Sequence, residues 1–265
     1  MLRIRGTFRK IIAFIFLTVL FAIKFIDDPI ATINEITNYL TEQVSNIQQQ
    51  PVENITLGNI PEYSGDLSIV MNGGVPFFLA EPDEMYETTI SYEYYYPLDS
   101  LGRCVRAEAN LSLDLMPKEN ENRGDISNVK PSGWWNKPYD FVEGGYLYNR
   151  CHLIAYMLAG ENDNKMNLIT GTRYFNATGM LPYEEKVSRY IHNTNNHVLY
   201  RVTPIYTGDN LVANGVVMEA YSVEDDGEGL QFCVFVYNVQ PGVVIDYKDG
   251  NNWEAGYSEG EEQPR

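Results

Sequence analysis

The sequence predicts an α+β fold, from three observations: aromatic and alternating strand-like segments within residues 67–113, a second such set within 197–239, and between them a helix opened by a proline and two acids. Strands on both sides of a central helical region build a sheet that buries a face under helices. The 265 residues, less an atypical N-terminus, leave about 200, the size of one substantial domain. Its core has ample aromatic bulk, with 20 Tyr and 11 Phe.

The N-terminus reads as a membrane-targeting segment. Arg3, Arg5, Arg9 and Lys10 precede an apolar run from Ile11 to Ile23 that only Thr18 interrupts. That run suits a signal peptide and falls short of the roughly 20 residues that span a bilayer comfortably. Lys24-Phe25-Ile26-Asp27-Asp28 offers no small-residue cleavage site, and with Lys24 snorkelling the segment extends to Ile26 as a short anchor. A cleaved signal peptide and an uncleaved signal anchor both stay open for residues 1–26. Either places the remainder on the extracellular side of the membrane, anchored or secreted. Ile30, Ile33, Ile36, Leu40 and Val44 recur at helical spacing, so 27–59 is expected to be a helical stalk and linker. The folded domain is expected over 60–247, and the polar, acidic stretch 248–265 is expected to be a disordered tail.

Within the domain, Leu67–Met71, the turn signal Asn72-Gly73-Gly74 and Val75–Leu79 predict a hairpin. Tyr92–Pro97 and Val105–Leu113 predict two more strands. Pro182 followed by Glu184 and Glu185 predicts a helix to about Ile191, because proline suits the first turn and acids favour the positive end of the helix dipole. His197–Tyr206 and Leu211–Glu219 predict a hairpin around Thr207-Gly208-Asp209-Asn210, and Leu230–Val239 predicts a last strand.

The formal net charge of −17 argues against a protein that coats a polyanion with a basic face. The charge is uneven, however: Lys130 to Arg201 holds eight Lys or Arg against six acids, a local balance of +2. Few phosphate contacts and weak, salt-sensitive binding with little sequence choice are the corresponding expectation for a nucleic-acid partner.

Chemistry concentrates in Tyr148-Asn149-Arg150-Cys151-His152-Leu153-Ile154, followed 24 residues after His152 by Asn176 and eight further on by Glu184. An imidazole, an amide oxygen and a carboxylate suit a one-metal phosphodiesterase. His152 can take a proton from water when its imidazole is neutral. Asn176 can give an amide oxygen to a hard cation that otherwise keeps its waters, and Glu184 can orient those waters. Arg150 and Arg173 are candidate phosphate clamps, with Arg173 favoured for the transition state and Arg150 equally suited to a structural place behind the histidine. Lys186 is a further candidate substrate contact. Alternation along a strand puts Cys151 and His152 on opposite faces, which argues against a Cys–His nucleophile and for a buried Cys151 beside an exposed His152. Cys104 and Cys151 could form a bridge, and His192 and His197 read as surface or structural.

These motifs, with Asn167-Leu168-Ile169-Thr170-Gly171-Thr172-Arg173-Tyr174-Phe175-Asn176 and Gly179-Met180-Leu181-Pro182-Tyr183-Glu184, resemble the DNA/RNA non-specific endonucleases, in the bacterial branch of the streptococcal DNA-entry nuclease and streptodornases. The resemblance runs from about Ile60 through Asp246 and includes Lys130-Pro131-Ser132-Gly133-Trp134, Tyr200-Arg201-Val202-Thr203-Pro204 and Val239-Gln240-Pro241-Gly242. It implies a ββα-metal (His-Me finger) core with a central antiparallel sheet, a divalent cation (Mg²⁺, with Mn²⁺ as a substitute), DNA and RNA as substrates, and products carrying a 5′-phosphate. The usual family motif reads Asp-Arg-Gly-His; here Asn149 stands for the Asp and Cys151 for the Gly. Two other readings stay open: a catalytically silent nucleic-acid-binding surface protein, and a phosphodiesterase for small substrates on the same fold.

Overall fold

A computed structural model describes residues 60–80, 89–118 and 120–257. The expected signal or anchor, the whole of the stalk and linker, and the end of the expected tail lie outside the described residues. Among the described residues no helix is long and apolar enough to cross a membrane.

The main sheet has six antiparallel strands: β1 (Ser68–Val70), β2 (Tyr92–Tyr95), β3 (Ala107–Leu111), β6 (Val198–Ile205), β7 (Gly215–Ser222) and β8 (Gln231–Tyr237), in the spatial order β1-β8-β7-β6-β3-β2. Between β3 and β6 the chain makes a separate antiparallel pair, β4 (Tyr148–His152) with β5 (Leu168–Thr172), and two helices, α1 (Tyr156–Ala159) and α2 (Leu181–Thr194). A small pair, β9 (Val243–Ile245) with β10 (Asn252–Glu254), closes the described chain.

Both faces of the main sheet are covered, so its central strands are buried on both sides rather than alternating between core and solvent. One face carries Ala109, Tyr200, Ala220 and Phe232 in register and packs with Cys151 of β4, Phe175 of the turn before α2, and Val187 and Ile191 of α2 into the principal core. The opposite face aligns Glu108, Arg201, Glu219 and Cys233. There Arg201 donates to Glu219 through Nε at 2.6 Å, and the backbone N–H groups of Phe77 and Phe78 donate to the same carboxylate at 2.6 and 3.3 Å. Residues 77–80 therefore lie over the sheet as a short 3₁₀ turn.

That arrangement replaces the expected 67–79 hairpin. β1 pairs with β8, and Val75–Leu79 does not return alongside it because Phe77 and Phe78 spend their amides on Glu219. The β6–β7 hairpin forms as predicted, with its second strand starting at Gly215 rather than Leu211. The predicted helix appears as α2, longer at both ends, with Pro182 in its first turn and Asn195 in the left-handed conformation after its last residue. Part of the expected tail packs: Asn252 is buried and its side chain bonds the Trp135 carbonyl and the Tyr139 hydroxyl. Cys104, Cys151 and Cys233 are free, buried thiols, so the possible Cys104–Cys151 bridge is absent.

Two asparagines fix the β4–β5 pair in place. Asn238, after β8, accepts from the Thr172 amide and donates to the carbonyls of Thr170 and Ala213. Asn167 exchanges both amide bonds with Ile154 and ties the end of β4 to the start of β5.

Candidate active site

His152 ends β4 and lines a cavity of about 260 Å³ together with Arg123, Ala155, Tyr156, Met157, Arg173, Asn176, Ala177, Leu181 and Glu184. Strand alternation sends Cys151 the other way, into the core. There its sulfur occupies space left by Gly171 of β5, where an added Cβ would lie 2.5 Å from Sγ. The expectation of an exposed histidine is corrected: His152 is 6% exposed, with the Asn162 carbonyl on one ring nitrogen and Arg123 on the other.

The partners of His152 define its tautomer. Nε2 lies 2.8 Å from the Asn162 carbonyl, which only accepts, so Nε2 carries the hydrogen. Nδ1 lies 3.0 Å from Nη2 of Arg123, which only donates, so Nδ1 presents its lone pair to the cavity side. Burial, opposed by the Asn162 bond and reinforced by the Arg123 charge, holds the imidazole pKa down at about 4. The ring is therefore neutral near pH 7, as a general base must be.

Asn176 reaches the cavity from a π-helical turn, Phe175–Met180, which runs directly into α2. The wide turn sits between the end of β5 and Pro182, and such turns recur at functional sites. Among the described residues the Asn176 side-chain amide has no hydrogen-bond partner. Glu184, in the first turn of α2, shares its buried face with Val187 and Ile191. The residue is 6% exposed, and its carboxyl has no hydrogen-bond or ion-pair partner among the described residues. Burial pushes its pKa up to about 8, with Arg123 pulling down and Glu185 adding to the rise.

Arg173 follows β5 and lines the cavity. One end of its guanidinium donates to the exposed Glu143 carboxylate at 3.1 Å, and its Nε is buried with no partner among the described residues. Arg150 and Lys186 do not line this cavity. Arg150 donates to the carbonyls of Val129 and Ser127 and stacks over Trp134 at 4.4 Å, fixing the 127–134 segment behind the hairpin. Lys186 lies over the Tyr183 ring at 4.8 Å on the exposed side of α2, about 200° around the helix from Glu184. His192 is exposed and bonds its own helix at Ser188, and His197 pairs with Glu224.

The donor set suits a hard cation bound through few protein groups. An unpartnered amide oxygen and an unpartnered buried carboxylate line one cavity, and oxygen donors are what Mg²⁺ takes. Among the described residues no three His, Cys, Asp or Glu side chains gather into a metal cage.

A histidine on a short antiparallel pair shares one cavity with an asparagine and a carboxyl from the helical segment that follows, and a larger sheet supports the whole unit. Residues 83–224 match the family model of the DNA/RNA non-specific endonucleases, and the chain belongs to that family. A deoxyribonuclease of Streptococcus dysgalactiae subsp. equisimilis is 29% identical over 202 residues, 61% of each chain, so the chain spans about three-fifths of the length of this curated relative. Among solved structures, NucA from Streptococcus agalactiae with magnesium bound is 28% identical, with a TM-score of 0.56 over 62% of this chain and 80% of that one. The Sda1 nuclease with bound zinc is 29% identical, with a TM-score of 0.56 over 63% of this chain and 82% of that one.

Proposed function

We propose that this chain is a metal-dependent, sequence-non-specific endonuclease acting outside the cytoplasm on DNA and RNA, with the β4–β5 pair and the following helical segment as its ββα-metal core. The observation that carries the proposal is the convergence of a neutral His152 with an inward lone pair, an unpartnered Asn176 and an unpartnered Glu184 on one cavity. The magnesium-bound NucA relative supports the choice of Mg²⁺. The basic and apolar N-terminus supports export, by a cleaved signal or as an anchor.

Asn176 would hold the cation through its amide oxygen, and Glu184 would ionise beside it and orient water in the cavity. When bound, the cation supplies charge that stabilises the phosphate and the leaving oxygen. His152 accepts the proton of the attacking water at Nδ1, while Nε2–H stays on the Asn162 carbonyl and keeps the ring from turning. For that to happen Arg123 must leave Nδ1. A substrate phosphate offers it a stronger, charge-assisted partner than a neutral imidazole, so substrate entry itself uncovers the base. Arg173, bidentate by nature and already at the cavity, clamps the same phosphate from the other side.

The test is incubation of the full chain with plasmid DNA and with RNA, in Mg²⁺ or in EDTA. Loss of both polymers in Mg²⁺ alone is expected. Intact polymers that are retarded on a gel would replace the reading with a silent binding protein. Hydrolysis confined to small phosphodiesters would replace it with the small-substrate enzyme.

A further inference from the structure

Among the described residues the three most exposed large aromatic side chains, Trp135 (60%), Tyr146 (56%) and Phe141 (52%), all fall in one stretch of twelve residues. That stretch is stiff. Pro138 bridges Tyr146, Leu147 N–H donates to the Lys137 carbonyl, and Tyr139 and Gly145 close a tight bend. Asn136 bonds both the N–H and the carbonyl of Tyr148, and Asn252 holds the Trp135 carbonyl. On this fixed backbone all three residues leave more than half of their surface in water, Phe141 with one side of its ring against Tyr139, which costs hydrophobic free energy and marks a surface meant to be covered.

The same stretch is wired to the cavity. Glu143 accepts from the Arg173 guanidinium, and Leu147 accepts from the Arg173 amide, so a phosphate on Arg173 would place its neighbouring nucleotides beside the rings. Asp140 and Glu143 make the stretch itself unattractive to phosphate or to an anionic lipid surface. What it offers is ring faces, and every base has a face to stack on them once it is unpaired.

Resting on the nuclease reading, we infer that residues 135–146 form a base-stacking platform for single-stranded nucleic acid, which feeds its phosphate to Arg173. The platform takes unpaired bases of any identity; a duplex, with its bases stacked inside, gains little from it.

The experiment is binding of a fluorescein-labelled oligothymidylate of about 12 nucleotides, a length within reach of a single-strand site, and of its duplex with oligoadenylate. The full chain is used in EDTA, so that nothing is cut, and is compared with Phe141→Ala and Tyr146→Ala; melting temperatures check the fold. Each substitution is expected to weaken single-strand binding by about 5- to 100-fold, the effect of losing one stacked base, and to change duplex binding less than about 2-fold, because paired bases make no such contact. Cleavage of duplex DNA in Mg²⁺ should be retained. Equal losses on both ligands, no loss on either, or no single-strand binding by the unaltered chain would overturn the platform. So would quenching of tryptophan fluorescence by phosphatidylcholine vesicles and not by the oligonucleotide. A failed nuclease reading would show separately, as an unaltered chain that binds oligothymidylate but cuts nothing in Mg²⁺.

Discussion

At the scale of single residues, His152 and Glu184 are buried in the same cavity and shifted in opposite directions, to about 4 and about 8. The depressed His152 contributes stability that is complete above the ordinary imidazole range and lost as pH falls through about 4. The raised Glu184 contributes stability that is complete below the ordinary carboxyl range and lost as pH rises through about 8. Glu184→Gln should therefore raise the melting temperature of the metal-free chain more at about pH 8 than at about pH 5; thermal melts in EDTA check this, and an equal rise at both would remove the buried-acid account. Added Mg²⁺ should raise the melting temperature of the unaltered chain and not that of Asn176→Ala, since a ligand stabilises only the state that binds it. His152, Asn176, Glu184 and Arg173 could be singled out in the sequence because their residue types and spacing match a chemistry. Arg123 and Asn162 could not. Arg123 sits in a polar run, Asn122-Arg123-Gly124-Asp125, and Asn162 acts through its carbonyl, which every residue has.

At the scale of elements, the β4–β5 pair depends on close packing behind the histidine. An alanine Cβ at position 171 would lie 2.5 Å from Cys151 Sγ and 2.6 Å from the Phe175 ring. Gly171→Ala should cost about 1–3 kcal/mol by overpacking, and Cys151→Ala in the same chain should recover part of it; urea unfolding of the two single variants and the pair measures the coupling. The Cys151 thiol is held well above its ordinary pKa by burial and by the Glu184 carboxylate, which leaves it a packing group rather than a nucleophile. Helix α2 was legible because its start signals are local: Pro182, then acids at the positive end of the dipole. The segment 75–79 misled because its apolar pattern is the same whether it pairs as a strand or lies across a sheet. What decides is Glu219, about 140 residues away in sequence, whose carboxylate takes the Phe77 and Phe78 amides. The π-helical turn that carries Asn176 has no sequence signature of its own either. It is visible only once β5 and α2 are placed.

For the whole molecule, the six-stranded sheet holds the β4–β5 pair and α2 on one face and the 77–80 turn on the other, with Glu108, Arg201 and Glu219 buried on that second face. Arg201→Met should destabilise the fold by about 3–5 kcal/mol, because it leaves the Glu219 carboxylate buried without its cation; chemical denaturation reads it directly, and a neutral outcome would mean that the pair is dispensable. The overall charge of −17 sets a second whole-molecule expectation. Substrate affinity should fall with salt, but with a shallow slope reporting few phosphate contacts. The α+β class and the positions of most strands of the main sheet were legible, since apolar or aromatic segments separated by turn residues leave little choice. The cover on the second sheet face was not, because it is built from buried charges that look like surface residues in a linear pattern.

The most direct test of His152 as the base is cleavage of plasmid DNA by His152→Gly in Mg²⁺, with and without added imidazole. The account predicts a loss of about 10²- to 10⁴-fold, an unchanged circular dichroism spectrum, and partial recovery when imidazole enters the cavity of about 260 Å³ left larger by the missing ring. Cleavage by His152→Gly at the unaltered rate would contradict it.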